Sequence, residues 1–84
     1  MTETTATARS RDLVRMANQI ASHFASLPPD EATAETAAHI RKFWDPRMRA
    51  ALFAHSDADG TDLHAVARSA IAVLKQGAVA TPSR

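Results

Sequence analysis

Four histidines, His23, His39, His55 and His64, are the side chains here best suited to hold a metal or move a proton. Imidazoles that share a metal from one helix stand three or four residues apart. None of these do, and no His-Glu-x-x-His pair occurs. A metal would need three separate helices to converge, so each histidine is expected at an interface or partly buried. Asp57, Asp59 and Asp62 around Gly60 suggest a calcium loop, but that motif requires glycine at its sixth position and glutamate at its twelfth. Counted from Asp57, those positions hold Asp62 and Arg68. The segment therefore reads as a solvated turn whose aspartates cap the following helix. The absence of cysteine removes disulfides, thiolate metal sites and thiol catalysis together. No phosphate loop, dinucleotide fingerprint or nucleophile elbow is present. The expectation is a chain that is not an enzyme and has no catalytic, cofactor-binding or metal-binding residue.

The chemistry concentrates instead between His39 and Arg49, where four cations, two aromatics, a methionine and Asp45-Pro46 fall within one short stretch. Its partner-binding candidates are His39, Arg41, Lys42, Phe43, Trp44, Arg47, Met48 and Arg49. Tryptophan, arginine and methionine are enriched at protein interfaces, and the arginine fork pairs with carboxylates in a way lysine cannot. Arg47 falls in the first turn of a helix, where a cation opposes the helix dipole by roughly 0.3–1 kcal/mol unless an anion compensates. Asp45 supplies that anion, or a partner does. A plainer alternative is that Phe43, Trp44 and Met48 close the end of a bundle while the cations stay solvated. The same cations also allow a small nucleic-acid-binding adaptor gripping phosphates, an alternative that a formal net charge of +1 disfavours.

Helices must position these residues. Leu13, Met16, Ala17, Ile20, Ala21, Phe24 and Leu27 recur at helical spacing, and Pro28-Pro29 ends the run, giving a first helix over about 11–27. Asp30 and Glu31 at one end and Arg41 and Lys42 at the other complement the dipole of a second, over about 30–43, whose apolar content is largely alanine. Asp45 as N-cap with Pro46 at the first helical position starts a third, over about 46–55, on which Met48, Ala51, Leu52 and His55 share a face. Leu63, Val66, Ala67, Ala70, Ile71 and Leu74 mark a fourth, over about 62–76, with Gly77 as its stop. No period-2 pattern appears. The fold expected is all-α, a small bundle of about four helices with a sharp Asp-Pro elbow between the second and third.

At 84 residues the chain is one domain at most, expected as a helical unit over 10–77 between flexible tails at 1–9 and 78–84. A domain of this size hides only about 60% of its unfolded surface, and such a core seldom supplies more than roughly 3–5 kcal/mol. With cysteines absent, a partner is the natural supplement. The exposed apolar edge also leaves dimerisation open to the isolated chain. No run of about 18 apolar residues exists to span a bilayer, which places the chain in the cytoplasm with no membrane contact.

Leu13 to Ala21 and His39 to Arg49, read as Leu-Val-Arg-Met-Ala-Asn-Gln-Ile-Ala and His-Ile-Arg-Lys-Phe-Trp-Asp-Pro-Arg-Met-Arg, resemble the delta subunit of NAD-dependent formate dehydrogenase. The resemblance covers about 12 to 76. It implies a small accessory subunit of a cytoplasmic enzyme whose other subunits carry a molybdenum or tungsten pterin, iron–sulfur clusters, FMN and the NAD site, with no cofactor in this chain. It further implies association with the large catalytic subunit, in support of assembly, cofactor insertion or stability.

Overall fold

The computed structural model describes the backbone of residues 2–79 and the side chains of residues 10–76. Four helices succeed one another, α1 (Thr2–Phe24), α2 (Pro29–Phe43), α3 (Pro46–Asp59) and α4 (Ala65–Val79), with no strand among the described residues. The protein is all-α, as its periodicity indicates.

The helix ends differ from expectation for local reasons. The backbone of α1 is helical from Thr2 and not only from about residue 11. Residues 2–9, expected as a tail, contain no glycine or proline to halt propagation from the packed part of the helix. Its other end stops at Phe24, and the chain tightens through Ala25 N–H to Ser22 O and Leu27 N–H to Phe24 O before the two prolines. Helix α3 runs on through Ser56, Asp57 and Ala58, residues read as a turn, and Gly60 closes it at φ −94°. Helix α4 begins at Ala65, not near 62. His64 precedes it, and its Nδ1 accepts the Val66 N–H at 3.1 Å, a side-chain cap on the first turn. Residues 80–84 of the expected C-terminal tail lie outside the described residues.

Small residues set the packing. Ala17 and Ala21 of α1, Ala32 and Ala37 of α2, and Ala67 and Ala70 of α4 are all buried, which lets these helices approach closely. Leu13, Val14, Ile40, Leu52, Leu63, Ile71 and Leu74 fill the remaining space. Helix α2 packs most intimately on α4, while α1 touches all three other helices. The elbow directs α3 away from α2, so these consecutive helices share little contact. The buried stripe of α1 is rotated from the expected one. Val14 is in the core, whereas Met16, Ile20, Phe24 and Leu27 are only half-buried.

Among the described residues one core position is polar. Thr36 of α2 is fully buried, and its Oγ1 has no hydrogen-bond partner among them. It stands between Ala32 and Ile40, one turn from each along the buried face. A desolvated hydroxyl left unpaired costs about 1–3 kcal/mol. Thr36→Val keeps the shape and the β-branching while removing that cost, so the variant is expected to be more stable by about 1 kcal/mol. In a domain this small that raises Tm by roughly 4–8 °C. A thermal melt with unchanged or lower Tm would show that the hydroxyl is not a liability.

Candidate partner-binding surface

The elbow is built by three local devices. Trp44 leaves helical geometry at φ −100°, ψ 139°, while its N–H still donates to Ile40 O at 2.9 Å, ending α2. Asp45 adopts the extended conformation of an N-cap, and its Oδ1 accepts the Met48 N–H at 2.9 Å. Pro46 then opens α3, where its missing N–H leaves no bond unmade.

This geometry divides the residues expected to bind a partner. Trp44 turns inward and retains only 5% of its exposure, packed with the hydrophobic core. In this chain it packs as a core residue. Arg49, one turn into α3, folds back, and its Nη1 donates to Trp44 O at 2.7 Å and to Arg41 O at 3.3 Å. It thereby satisfies carbonyls at the C-terminal end of α2, where the helix dipole also favours a cation. Its guanidinium braces the elbow, which leaves Arg41, Lys42 and Arg47 as the exposed cations of this segment. Arg47 makes no ion pair among the described residues. Met48 and His39 are half-buried, and Phe43, at 65% exposure, faces solvent.

Phe43 is not an isolated apolar residue. Its ring lies 4.7 Å from His39, centroid to centroid, and His39 in turn lies 6.4 Å from Phe24, which meets His23 edge-on at 4.8 Å. The Lys42 ammonium stands 5.6 Å from the Phe43 centroid, within cation–π range. Four rings thus form a continuous strip across α1 and α2. Beside it, Gln19, Ile20, His23, Phe24 and His39 line a groove of about 270 Å³. Ile20, which also packs against the core, and the half-buried Phe24 both belong to the helically spaced apolar residues of α1, a stripe wider than an alanine-rich α2 can cover. A second depression, of about 440 Å³, lies along α1 between Arg11, Arg15, Asn18 and Asp62.

The residues that suggested metal chemistry are committed elsewhere. Asp57 pairs with Lys75, Asp59 accepts from the Thr61 hydroxyl and N–H, and Asp62 receives His55 Nε2 at 3.0 Å. The bonds from Thr61 hold the Asp59 carboxyl below its ordinary pKa. No group of three potential metal ligands converges among the described residues. The turn between α3 and α4 is fastened to α1 by Asn18, whose Oδ1 accepts the His64 N–H at 2.8 Å and whose Nδ2 donates to Asp62 O at 3.0 Å. Arg68 Nη1 closes the same turn from below, donating to Gly60 O and Leu63 O. No described helix is long and apolar enough to cross a membrane.

A model of one protein family, the NADH-dependent formate dehydrogenase delta subunit FdsD, matches residues 12–71. That span takes in the buried face of α1, the whole elbow, the Asn18-bound turn and the N-terminal part of α4. No curated protein and no solved structure matches the chain.

Proposed function

Since the chain belongs to the family of NADH-dependent formate dehydrogenase delta subunits, we propose that it is a non-catalytic accessory subunit that binds the large catalytic subunit of that enzyme. In this role it supports assembly, cofactor insertion or stability of a cytoplasmic complex. The observation that carries the proposal is the family match over residues 12–71, which makes the chain a formate dehydrogenase subunit. The side chains support the non-catalytic part. The chain has no cysteine to ligate an iron–sulfur cluster or molybdenum, and its histidines and clustered aspartates are engaged with ring neighbours, caps and intrachain ion pairs. The molybdenum or tungsten pterin, iron–sulfur clusters, FMN and NAD site belong, on this proposal, to the partner subunits. Contact with the partner is assigned to the exposed side of the elbow, where Arg41, Lys42, Phe43 and Arg47 lie beside His39 and Met48, while Trp44 and Arg49 shape that side from within.

The test is a pull-down of the tagged chain from its native cells, with identification of partners and a metal assay. Recovery of a large subunit containing molybdenum or tungsten is expected. Recovery of nucleic acid without that subunit would overturn the proposal in favour of a phosphate-binding adaptor. In cells lacking the chain, a large subunit poor in metal and pterin would indicate maturation. A fully loaded but fragile complex would indicate scaffolding.

A further inference from the structure

We propose that the turn between α3 and α4 is a proton-sensitive latch, in which a neutral His64 keeps the first turn of α4 wound and a charge on that imidazole releases it, while His55 keeps the turn fastened to α3. The bond from Val66 N–H to His64 Nδ1, at 3.1 Å, fixes the chemistry of the latch. A backbone amide can only donate, so Nδ1 carries a lone pair and the ring proton sits on Nε2. A second proton must go on Nδ1. There it sets a donor against a donor, removes the cap and places a cation at the N-terminal end of a helix, where the dipole opposes it. His55 responds in the opposite sense. Its Nε2 stands 3.0 and 3.2 Å from the two carboxylate oxygens of Asp62. An ionised carboxylate only accepts, so Nε2 already donates, and charging the ring strengthens the pair. The latch belongs to the chain alone and needs no partner.

The charged groups around the turn reinforce this division. Arg68 of α4 donates to Gly60 O and Leu63 O, which sets a guanidinium on the carbonyl next to His64 and disfavours a second cation there. The carboxylates are engaged elsewhere, Asp62 with His55, Asp59 with Thr61, Asp57 with Lys75 and Asp12 of α1 with Arg15. Arg11 and Arg15 border the depression on α1 that Asp62 also lines. Among the described residues no carboxylate pairs with His64, and no charged side chain of α2 forms an ion pair at the turn. A charged His64 therefore gains no partner in exchange for the amide it gives up. The release is local. Asn18 accepts from His64 N–H and donates to Asp62 O, bonds that depend on neither imidazole, so the turn stays on α1. The loss falls on the first turn of α4, where half-buried Val66 packs against the core. Imidazole changes charge between about pH 5 and 8. The His64 cap is present at the upper end of that range and is lost as pH falls, whereas the His55 pair gains as pH falls. The two contributions oppose each other in a melting temperature, and only a local measurement separates them.

Exchange of the Val66 amide with water, followed by NMR in the full chain across that range and referred to an unstructured peptide at each pH, tests the latch. Protection at Val66 is expected to fall roughly tenfold from the upper end to the lower, the loss of one hydrogen bond. The fall should track the charging of the His64 ring, read from its own imidazole nitrogen signals, which should also place the neutral ring's proton on Nε2. His64→Asn supplies a cap that does not titrate, and in that variant protection at Val66 should stay level. In His55→Gln the fall should persist. Level protection in the wild type, a neutral His64 ring with its proton on Nδ1, or a fall that survives His64→Asn would each overturn the proposal, as would a fall abolished by His55→Gln. The two wild-type measurements decide the matter even where a variant does not fold.

Discussion

Trp44→Ala is expected to unfold most of the isolated chain. The indole is 5% exposed and sits in the same buried cluster as Leu13, Ile40 and Leu52, so truncation removes one of the largest buried surfaces and leaves a cavity. Such substitutions cost about 3–5 kcal/mol. A core this small supplies only roughly 3–5 kcal/mol in all, so the loss is comparable to the whole stability. The alanine-rich helices can do little to refill the space, since methyl groups such as those of Ala17 and Ala37 in the same cluster cannot extend into it. Trp44→Phe, which keeps a ring, is expected to recover a substantial part of the melting temperature. Melts followed by circular dichroism decide the matter, and an alanine variant melting within a few degrees of wild type would return Trp44 to the interface. On the proposed function, binding to the large subunit should fall in step with folding.

The contrast between Trp44 and Phe43 shows where the sequence is legible. Helix count, the Asp45-Pro46 stop-and-start and the α4 stripe follow from spacing and capping chemistry acting within a few residues, and the structure has them. The resemblance carried by Leu13–Ala21 and His39–Arg49 lies within the residues that the family model matches. Which of two adjacent aromatics turns inward is a different kind of question, because it depends on the angle at which α2 ends. That angle is set by Trp44 adopting extended geometry, and composition gives no reason to choose it over Phe43. Arg49 is similar. A cation among cations reads as a surface charge until its guanidinium is seen to fold back onto the α2 carbonyls. Long-range pairings were the least accessible, and the aromatic strip joins α1 to α2 through rings that local pattern assigned to separate roles.

Asn18 is the clearest instance of a long-range pairing, and its substitution is expected to have the second-largest effect on stability. Nothing around Arg15-Met16-Ala17-Asn18 marks it as more than a polar residue on the outer face of α1. Yet its amide grips both sides of the turn before α4, accepting from His64 N–H and donating to Asp62 O. The two bonds are not equal in consequence. Asp62 is exposed, and its carbonyl can return to water, whereas the His64 N–H belongs to a half-buried residue at the start of a helix, where amides have no intrahelical acceptor. Asn18→Ala is therefore expected to destabilise by about 1–3 kcal/mol, most of it from the stranded His64 amide. Asn18→Asp keeps an acceptor for that amide and loses only the donor to Asp62 O, so it should cost less than alanine at neutral pH. Hydrogen exchange at the His64 amide, read beside the melting temperature, separates the two bonds. Fast exchange in Asn18→Ala with protection retained in Asn18→Asp is the expected pattern. An aspartate variant as unstable as alanine would mean that the donated bond to Asp62 O, and not the accepted one, holds the turn against α1.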